Sequence, residues 1–475
     1  MDLSSLCVTT KTYHDVVHGY IGLTMFALQI IDTLIFQRLA NLKQLGPCRF
    51  VYPNAVHTRY EHSIGTYHLA GELMSTIAGL DNQADIDSYL ITVPELHHYF
   101  STLNITNTPN KMNHLLTPYV RELVKIAALC HDIGHGPFSH LFDDIFLPAV
   151  DSSDNPNKSH EARSNTLIEM VIKQNPNLSN VHDDDIKFIQ SLINPEAHHS
   201  GFIYQIVSNT LNGLDVDKID YLQRDIKMVD FQAKLDATRM IKYIRVIDNC
   251  IVYPKQSIDD IENLFRTRHR MYKNVYNHKT VSAVQSIIIE IMLELNKIMD
   301  IANSINDMNK FITLNDNTIL ECVNVIDKMH TTLTPLQQEV YNKVKVLLHK
   351  IYTRQFNSVI HTITSKNKLD VDKLIESVRS VNTNPKVQFN NILVSQHKVG
   401  FLSGKKPNPF DTIYFYDSKN PNKIVGTIEA FCKSKPVLSS TGTHQEYVTI
   451  LFYKDRNELE IIDELKYLFK NVCID

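Results

Sequence analysis

At 475 residues with 43% hydrophobic content, the chain can bury a large core and has room for two or three domains. Its formal net charge of −4 is small for that size, so no global field recruits nucleic acid or an anionic membrane, and any such contact must come from a local patch. The opening Met1-Asp2-Leu3-Ser4-Ser5-Leu6 lacks the basic start and apolar core of a secretory signal, and no apolar run is long enough to cross a bilayer, so a soluble intracellular protein is expected, cytoplasmic or nuclear. The seven cysteines lack CxxC spacing and read as reduced thiols rather than a disulfide framework or a thiolate zinc knot.

In chain order, residues 8–25 alternate loosely around His18-Gly19 and predict a short hairpin or extended arm. Residues 30–39 have helical spacing, which Gln44-Leu45-Gly46-Pro47 stops; after the Tyr52-Pro53-Asn54 turn, Arg59 opens a helix running through Leu69, Leu73 and Ile77. Residues 80–118 are polar and weakly periodic, as in an insertion or long loop. Leu123, Ile126, Ala127, Leu129 and Cys130 give the next helix an almost wholly apolar surface, as expected of a central core helix, and it ends on His131-Asp132 before a Gly/Pro-broken turn. A short helix over 141–146 and a polar loop over 151–158 follow, then helices over 160–173, 183–193 and 202–211. From Asp217 the pattern is helical again and puts Asp217, Tyr221, Arg224 and Asp225 on one face.

Residues 245–253 predict a hairpin turning at Asp248-Asn249. One long helix is expected over 257–301, with Arg268, Tyr272, Tyr276 and Lys279 on one stripe, and further helices with polar connections over 302–380. Past Pro385 the composition shifts to strands over 411–416, 424–431 and 447–453 and a closing amphipathic helix over 459–472. The fold class is therefore mainly α: an all-helical core with short β-hairpins over residues 1–384, and a small α+β lobe over 385–475.

The chemistry gathers around His131-Asp132-Ile133-Gly134-His135-Gly136-Pro137-Phe138-Ser139-His140. Four metal ligands can be proposed: His62 near a helix start, His131 and Asp132 at a helix end, and Asp217 at another helix start. Two imidazoles and two carboxylates suit Fe, Mn, Zn, Co or Mg and leave positions open for water or phosphate oxygen, which means catalysis rather than scaffolding. A His-Asp dipeptide alone arises often by chance; His135 and His140 behind it, on the most apolar helix of the chain, are what single this one out. His135, His140 and His160 are better used as proton-handling groups, with Asp143 orienting His140. Arg59, Lys218 and Arg268 could converge on polyphosphate, and Tyr221, Tyr272 and Tyr276 beside them would suit a sugar and base.

The order His62, His131-Asp132, Asp217 resembles the signature of the HD-domain phosphohydrolase superfamily. More closely, the motifs Asp32-Thr-x-x-Phe-Gln-Arg-Leu, Lys43-Gln44-Leu45-Gly46, Arg59-Tyr-Glu-His62-Ser, His131 to His140, Asp215-Val-Asp217-Lys218-x-Asp-Tyr221 and Tyr276-Asn-His-Lys279 resemble, in order, the SAM-and-HD-domain deoxynucleoside triphosphate triphosphohydrolases. The likeness spans roughly residues 10–300, with the HD region at about 57–225, and Asn408 to Tyr416 echoes the family's C-terminal lobe. It implies hydrolysis of a dNTP to deoxynucleoside and triphosphate, with Mg accompanying the nucleotide. It further implies metal on His62, His131, Asp132 and Asp217; a nucleophile placed by His140 and Asp143; the α-phosphate on His135; and leaving-group protonation by His160. Arg59, Lys218 and Arg268 would hold the phosphates, Gln44 and Asp225 the 3′-hydroxyl, Leu45 and Tyr276 the deoxy face of the sugar, and Tyr221, Tyr272 and Asn277 the base and sugar.

The resemblance also implies activator sites for GTP and dNTP, with Lys11, Asp32, Gln37 and Arg38 in one and Arg239 and Lys279 in the other, and a homo-oligomer, dimer or tetramer. The chain departs from the family at Tyr272 (histidine there), Asn277 (glutamine), His14, Ala40, Pro254 and Gln256, and an N-terminal SAM domain and long C-terminal tail are not expected. Two alternatives stand beside this reading: another HD-family nucleotide phosphohydrolase or nuclease, and a non-catalytic assembly that binds nucleotide or single-stranded nucleic acid.

Overall fold

The computed structural model describes residues 2–103, 114–329, 332–400, 409–427, 446–454 and 456–472. A hairpin of β1 (Thr9–Asp15) and β2 (Gly19–Thr24) leads into α1 (Met25–Ile31). The helix stops at Asp32 because the Thr33 hydroxyl accepts the Phe36 N–H and starts a new turn, so the single helix expected over 30–39 is two short pieces.

Four helices carry the candidate site residues, and a fifth braces them. α2 (Arg59–Ala78) opens where the Glu61 carboxylate accepts the Thr58 N–H at 2.9 Å. α3 (Pro118–Cys130) starts with Thr117 capping Val120 and proline in its first turn, and buries Leu123, Val124, Ile126, Ala127, Ala128, Leu129 and Cys130. With residues buried on every side, α3 runs through the centre, packed along α2 on one flank. α4 (His160–Gln174) and α5 (Asp183–Ile193) pack on each other and α5 on α3; α6 (Val216–Val229), capped by the Asp215 carboxylate, packs on α2.

Residues 80–118 are not one loop: short helices at Gln83–Leu90 and His97–Thr102 bury Ile86, Leu90 and Phe100 in the main core, while 104–113 lie outside the described residues. The helix expected over 202–211 shrinks to one turn, Phe202–Gln205, because the Asn209 side chain accepts the Leu211 and Asn212 N–H groups and folds the chain into a turn. The hairpin β3 (Arg245–Ile247) and β4 (Cys250–Pro254) turns at Asp248 and Asn249, both with positive φ (50° and 58°). The long helix expected over 257–301 is α7 (Ile258–Met271), a π-helical turn Tyr272–Tyr276, and α8 (Lys279–Met299), which restarts with His278 Nδ1 accepting the Thr280 N–H. That break takes Lys279 off the stripe of Arg268, Tyr272 and Tyr276.

The stretch 302–380 is not wholly helical. After α9 (Pro335–Tyr352), β5 (Ser358–Ser365) is rich in β-branched residues and pairs antiparallel with β9 (Glu446–Tyr453), which also pairs with β6 (Ile392–Val399). α10 (Val371–Val381) and α11 (Leu459–Val472) cover one face of this sheet, enclosing Ile360, Val378, Leu451, Tyr453, Leu465 and Phe469 in a second core. The other face presents Ile450 and Phe452 to Ala283 of α8. The strand β7 (Tyr414–Asp417) runs parallel to β4 and antiparallel to β8 (Asn420–Thr427), so a C-terminal segment completes the core sheet, and Phe410, Ile413 and Phe415 belong to the main core. The strand expected over 424–431 is β8, shifted toward the N-terminus; 428–431 lie outside the described residues. Among the described residues no helix is long and apolar enough to cross a membrane, and Cys7, Cys48, Cys130, Cys250 and Cys322 are free.

Candidate metal centre and active site

The chain cannot continue α3 past His131 as a helix, because the segment that follows is pressed against α4. A Cβ on Gly134 would lie 2.2 Å from the His160 carbonyl oxygen and 2.4 Å from the Ser164 nitrogen, so only glycine permits the approach. Ser164 fixes it: its hydroxyl donates to the His131 carbonyl at 2.7 Å and accepts the Gly134 N–H at 2.9 Å. Further on, Phe138 and Ser139 take positive φ (59° and 58°), a conformation costing on the order of 1–3 kcal/mol per non-glycine residue. It is held by the Asp316 carboxylate, which accepts the Phe138 N–H at 2.7 Å, and by Arg59, whose Nε donates to Ser139 Oγ at 2.7 Å.

The four expected ligands come together. His62 Nε2 lies 3.1 Å from Asp217 Oδ1 and 3.5 Å from Asp132 Oδ2; His131 Nε2 lies 3.4 Å from Asp217 Oδ1 and 3.4 Å from Asp132 Oδ1. His131 Nδ1 donates to the Ala128 carbonyl at 2.8 Å, which leaves the lone pair on Nε2, and that buried atom has no hydrogen-bond partner. Burial alone would lower the His62 pKa, but Asp217 and Asp220 overcome it and hold the imidazole at about 10. His131 is raised in the same way by Asp132 and Asp217 against its burial. The donor atoms of His62, His131 and Asp217 all lie within 4.8 Å of one another with Asp132 beside them, and such a set of nitrogen and oxygen donors fits a divalent cation.

Beside it lies a second group. His135 Nε2 is 3.2 Å from Asp132 Oδ1, and its ring stacks on that of His160 at 3.8 Å. His160 Nδ1 is 3.1 Å from Asp143 Oδ2, and Asp143 is also paired with the buried Arg163. These surroundings push two touching imidazoles apart. Burial, Arg59 and His160 hold His135 well below the usual histidine range, whereas the Asp143 carboxylate raises His160 in spite of burial. Asp143 therefore orients His160, not His140 as expected; the side chain of His140 is 65% exposed and its nearest carboxylate is Asp144, at 3.7 Å. The π-helical turn Phe142–Phe146 carries Asp143 inward.

The expected phosphate-binding cations each have a protein partner. Arg59 is bonded to Asp132, Lys218 to the Gly213 carbonyl, and Arg268 to the Tyr221 hydroxyl (3.2 Å) and the Gly400 carbonyl (2.5 Å), with its guanidinium 4.1 Å over the Tyr272 ring. Tyr272 meets Tyr276 edge-on at 4.9 Å, and the Tyr276 hydroxyl donates to Asp225 Oδ2 at 2.6 Å. Asp225 Oδ1 in turn faces His57 Nε2 at 2.7 Å, a buried partner that the sequence did not flag. Gln44, whose buried Oε1 has no hydrogen-bond partner, accompanies His57 through a backbone bond of 3.0 Å. Leu45 packs with Cys48, Ala55 and Val281, and Asn277 forms the break between α7 and α8.

Residues 59–225, which carry all four ligands, match the HD domain family model. Over 463 residues, 96% of this chain and 94% of the relative, the chain is 38% identical to HD domain-containing protein L394 of Acanthamoeba polyphaga mimivirus. The chain belongs to the HD-domain family. It is also 31% identical to the deoxynucleoside triphosphate triphosphohydrolase SAMHD1 homolog of Dictyostelium discoideum, over 86% of this chain and 71% of that one, and 28% identical to the human SAMHD1 triphosphohydrolase, over 88% and 67%. The protein is an HD-family nucleotide phosphohydrolase.

Around this HD centre the expected activator residues fall differently. Arg38 has no open face: it is buried, and its guanidinium donates to the carbonyls of Leu314 (2.7 Å), Ile133 (3.2 Å) and His135. Arg38 is thus a brace for the HD loop. The Gln37 amide donates to the Ile31 carbonyl at 2.9 Å; Lys11 on β1 lies 5.0 Å from the Tyr13 ring; Asp32 ends α1. Arg239 is exposed and paired with Asp260 at 2.9 Å, and Lys279 begins α8. The residues missed by sequence reasoning are largely buried charges: Arg163 on Asp143, Asp316 on the loop, and Asp220 with Arg224 on α6. The last pair carried a signal, an acid and a base four apart on a helix.

Proposed function

We propose that this protein is a metal-dependent triphosphohydrolase that cleaves a deoxynucleoside triphosphate to deoxynucleoside and inorganic triphosphate. The observation that carries the proposal is the pairing of the His62, His131, Asp132, Asp217 cluster with a stacked His135–His160 couple whose members are pushed in opposite directions. The relatives named as deoxynucleoside triphosphate triphosphohydrolases support the substrate class.

His62, His131, Asp132 and Asp217 would hold the divalent ion, which supplies charge stabilisation at the α-phosphoryl oxygen and lowers the pKa of a water molecule. The protein does the rest. Neutral His135 offers a hydrogen bond to the α-phosphate, and His160, kept protonated by Asp143, delivers a proton to the departing 5′-oxygen. Arg268, seated over Tyr272, exchanges the Gly400 carbonyl for phosphate oxygens, and Lys218 exchanges Gly213 likewise. Asp225, already aligned by His57 and Tyr276, accepts from the 3′-hydroxyl, and the unpartnered Gln44 Oε1 is a second acceptor for it.

The test is turnover of each dNTP with Mg or Mn, set against the matching NTP. The expected result is release of deoxynucleoside, a strong preference for dNTP, and no turnover by Asp132→Ala, which loses a ligand and leaves Arg59 unpaired. Turnover of NTP at the same rate would contradict the substrate assignment.

A further inference from the structure

The side of His62 that faces away from the centre is built as carefully as the side that faces it. His62 Nδ1 lies 2.7 Å from Asp220 Oδ2, so its N–H donates to that carboxylate and Nε2 is turned toward Asp132 and Asp217. Asp220 is fully buried and takes three further bonds: Arg224 Nε and Nη2 donate to its two oxygens, each at 2.9 Å, and His18 Nε2 lies 2.6 Å from Oδ1. Room for this carboxylate exists only because residue 65 on α2 is glycine; a Cβ there would lie 1.9 Å from Asp220 Oδ1.

His18 does not belong to the helical core. It sits on the turn between β1 and β2, and the whole turn is fastened to α6. Asp15 Oδ1 accepts the Val17 and His18 N–H groups at 2.8 and 2.9 Å, Asp15 Oδ2 accepts from Arg224 Nη1 at 2.7 Å, and Lys227 Nζ donates to the Val16 carbonyl. An unbroken chain of hydrogen bonds thus runs from the N-terminal hairpin through His18 and Asp220 to His62.

We propose that Asp220 and His18 are positioning residues for the metal centre: docking of the β1–β2 turn fixes the tautomer and ring plane of His62 and so sets the affinity for the cation. The inference rests on the assignment of His62 as a ligand. A carboxylate behind a metal-bound imidazole orients the ring and raises its basicity, and loss of such a partner costs about 10- to 100-fold in affinity. His18 adds a remote handle, because it touches neither the cation site nor substrate.

The test is a titration of chelator-stripped full-length protein with Mn(II), following free Mn(II) by electron paramagnetic resonance without nucleotide. Asp220→Asn and His18→Ala are expected to bind Mn(II) about 10- to 100-fold more weakly than wild type, with the wild-type circular dichroism spectrum retained. His18→Gln, whose amide can still donate to Asp220, is expected to recover most of the loss. Wild-type affinity in both Asp220→Asn and His18→Ala overturns the proposal, and so does a loss in His18→Gln as large as in His18→Ala. Wild type that binds no Mn(II) would remove the assignment of the metal centre as well, whereas wild-type binding with unchanged variants removes this inference alone.

Discussion

The chemistry turns on which side chain holds a proton. His135 and His160 stack at 3.8 Å, and each faces a carboxylate, Asp132 at 3.2 Å and Asp143 at 3.1 Å, but burial, Arg59 and His160 outweigh Asp132 at His135, whereas Asp143 outweighs burial at His160. His160→Gln is therefore expected to lower kcat about 10²- to 10⁴-fold, the usual range for a general acid. Its bound metal, measured by elemental analysis, should stay at the wild-type level because His160 lies outside the proposed ligand set. Loss of metal together with rate would move His160 into the ligand set. At this scale the sequence was informative about identity and weaker about partnership. The four residues proposed as ligands, far apart in sequence, are brought together, but Asp143 was matched to its sequence neighbour His140, whereas the π-helical turn aims it at His160. Arg38 was placed in an activator site, although its three carbonyl contacts lie 95 or more residues away in sequence. Contacts between distant segments leave no local pattern to read.

Among the elements, the start of α4 decides whether His160 reaches the centre, and Gly134 decides where α4 starts. Gly134→Ala puts a Cβ against three backbone atoms within 2.9 Å, none of which can rotate away. Displacement of α4 and loss of nearly all turnover are expected, while Gly79→Ala, whose Cβ meets nothing closer than 3.5 Å, should leave the rate unchanged. Wild-type turnover by Gly134→Ala would refute the account of how the loop is held. Helices with a continuous apolar face, α3 above all, were legible with nearly correct bounds. The errors fell where a side chain competes with the backbone: Thr33 and His278 restart helices, Asn209 closes a turn, and β5 hides as a β-branched run inside a polar, helix-rich stretch.

For the whole molecule, the C-terminal lobe is joined to the core where β6 crosses α8, and His397 sits at that junction with Ser395 Oγ at 2.7 Å and Ser282 Oγ at 3.3 Å. Burial lowers its pKa to about 4, below the 6.5 of a free imidazole, so the folded protein prefers the neutral ring. Its contribution is complete above pH 6.5 and is lost as the pH falls through 4. The melting temperature of wild type is expected to fall more steeply over that window than that of His397→Gln; parallel curves would show that His397 does not govern the junction. The lobe matters for chemistry because Gly400, the residue directly after β6, has its carbonyl on Arg268. The shift in composition near residue 385 could not show that β7 and β8 complete the core sheet, since parallel pairing of β7 with β4 joins residues 162 apart.

The most direct measurement of the central claim is hydrolysis of a dNTP in H₂¹⁸O, with the products resolved by mass spectrometry. Attack of water on the α-phosphorus with departure of the 5′-oxygen predicts unlabelled deoxynucleoside and inorganic triphosphate carrying one ¹⁸O. Release of pyrophosphate or orthophosphate, or ¹⁸O in the deoxynucleoside, would contradict it.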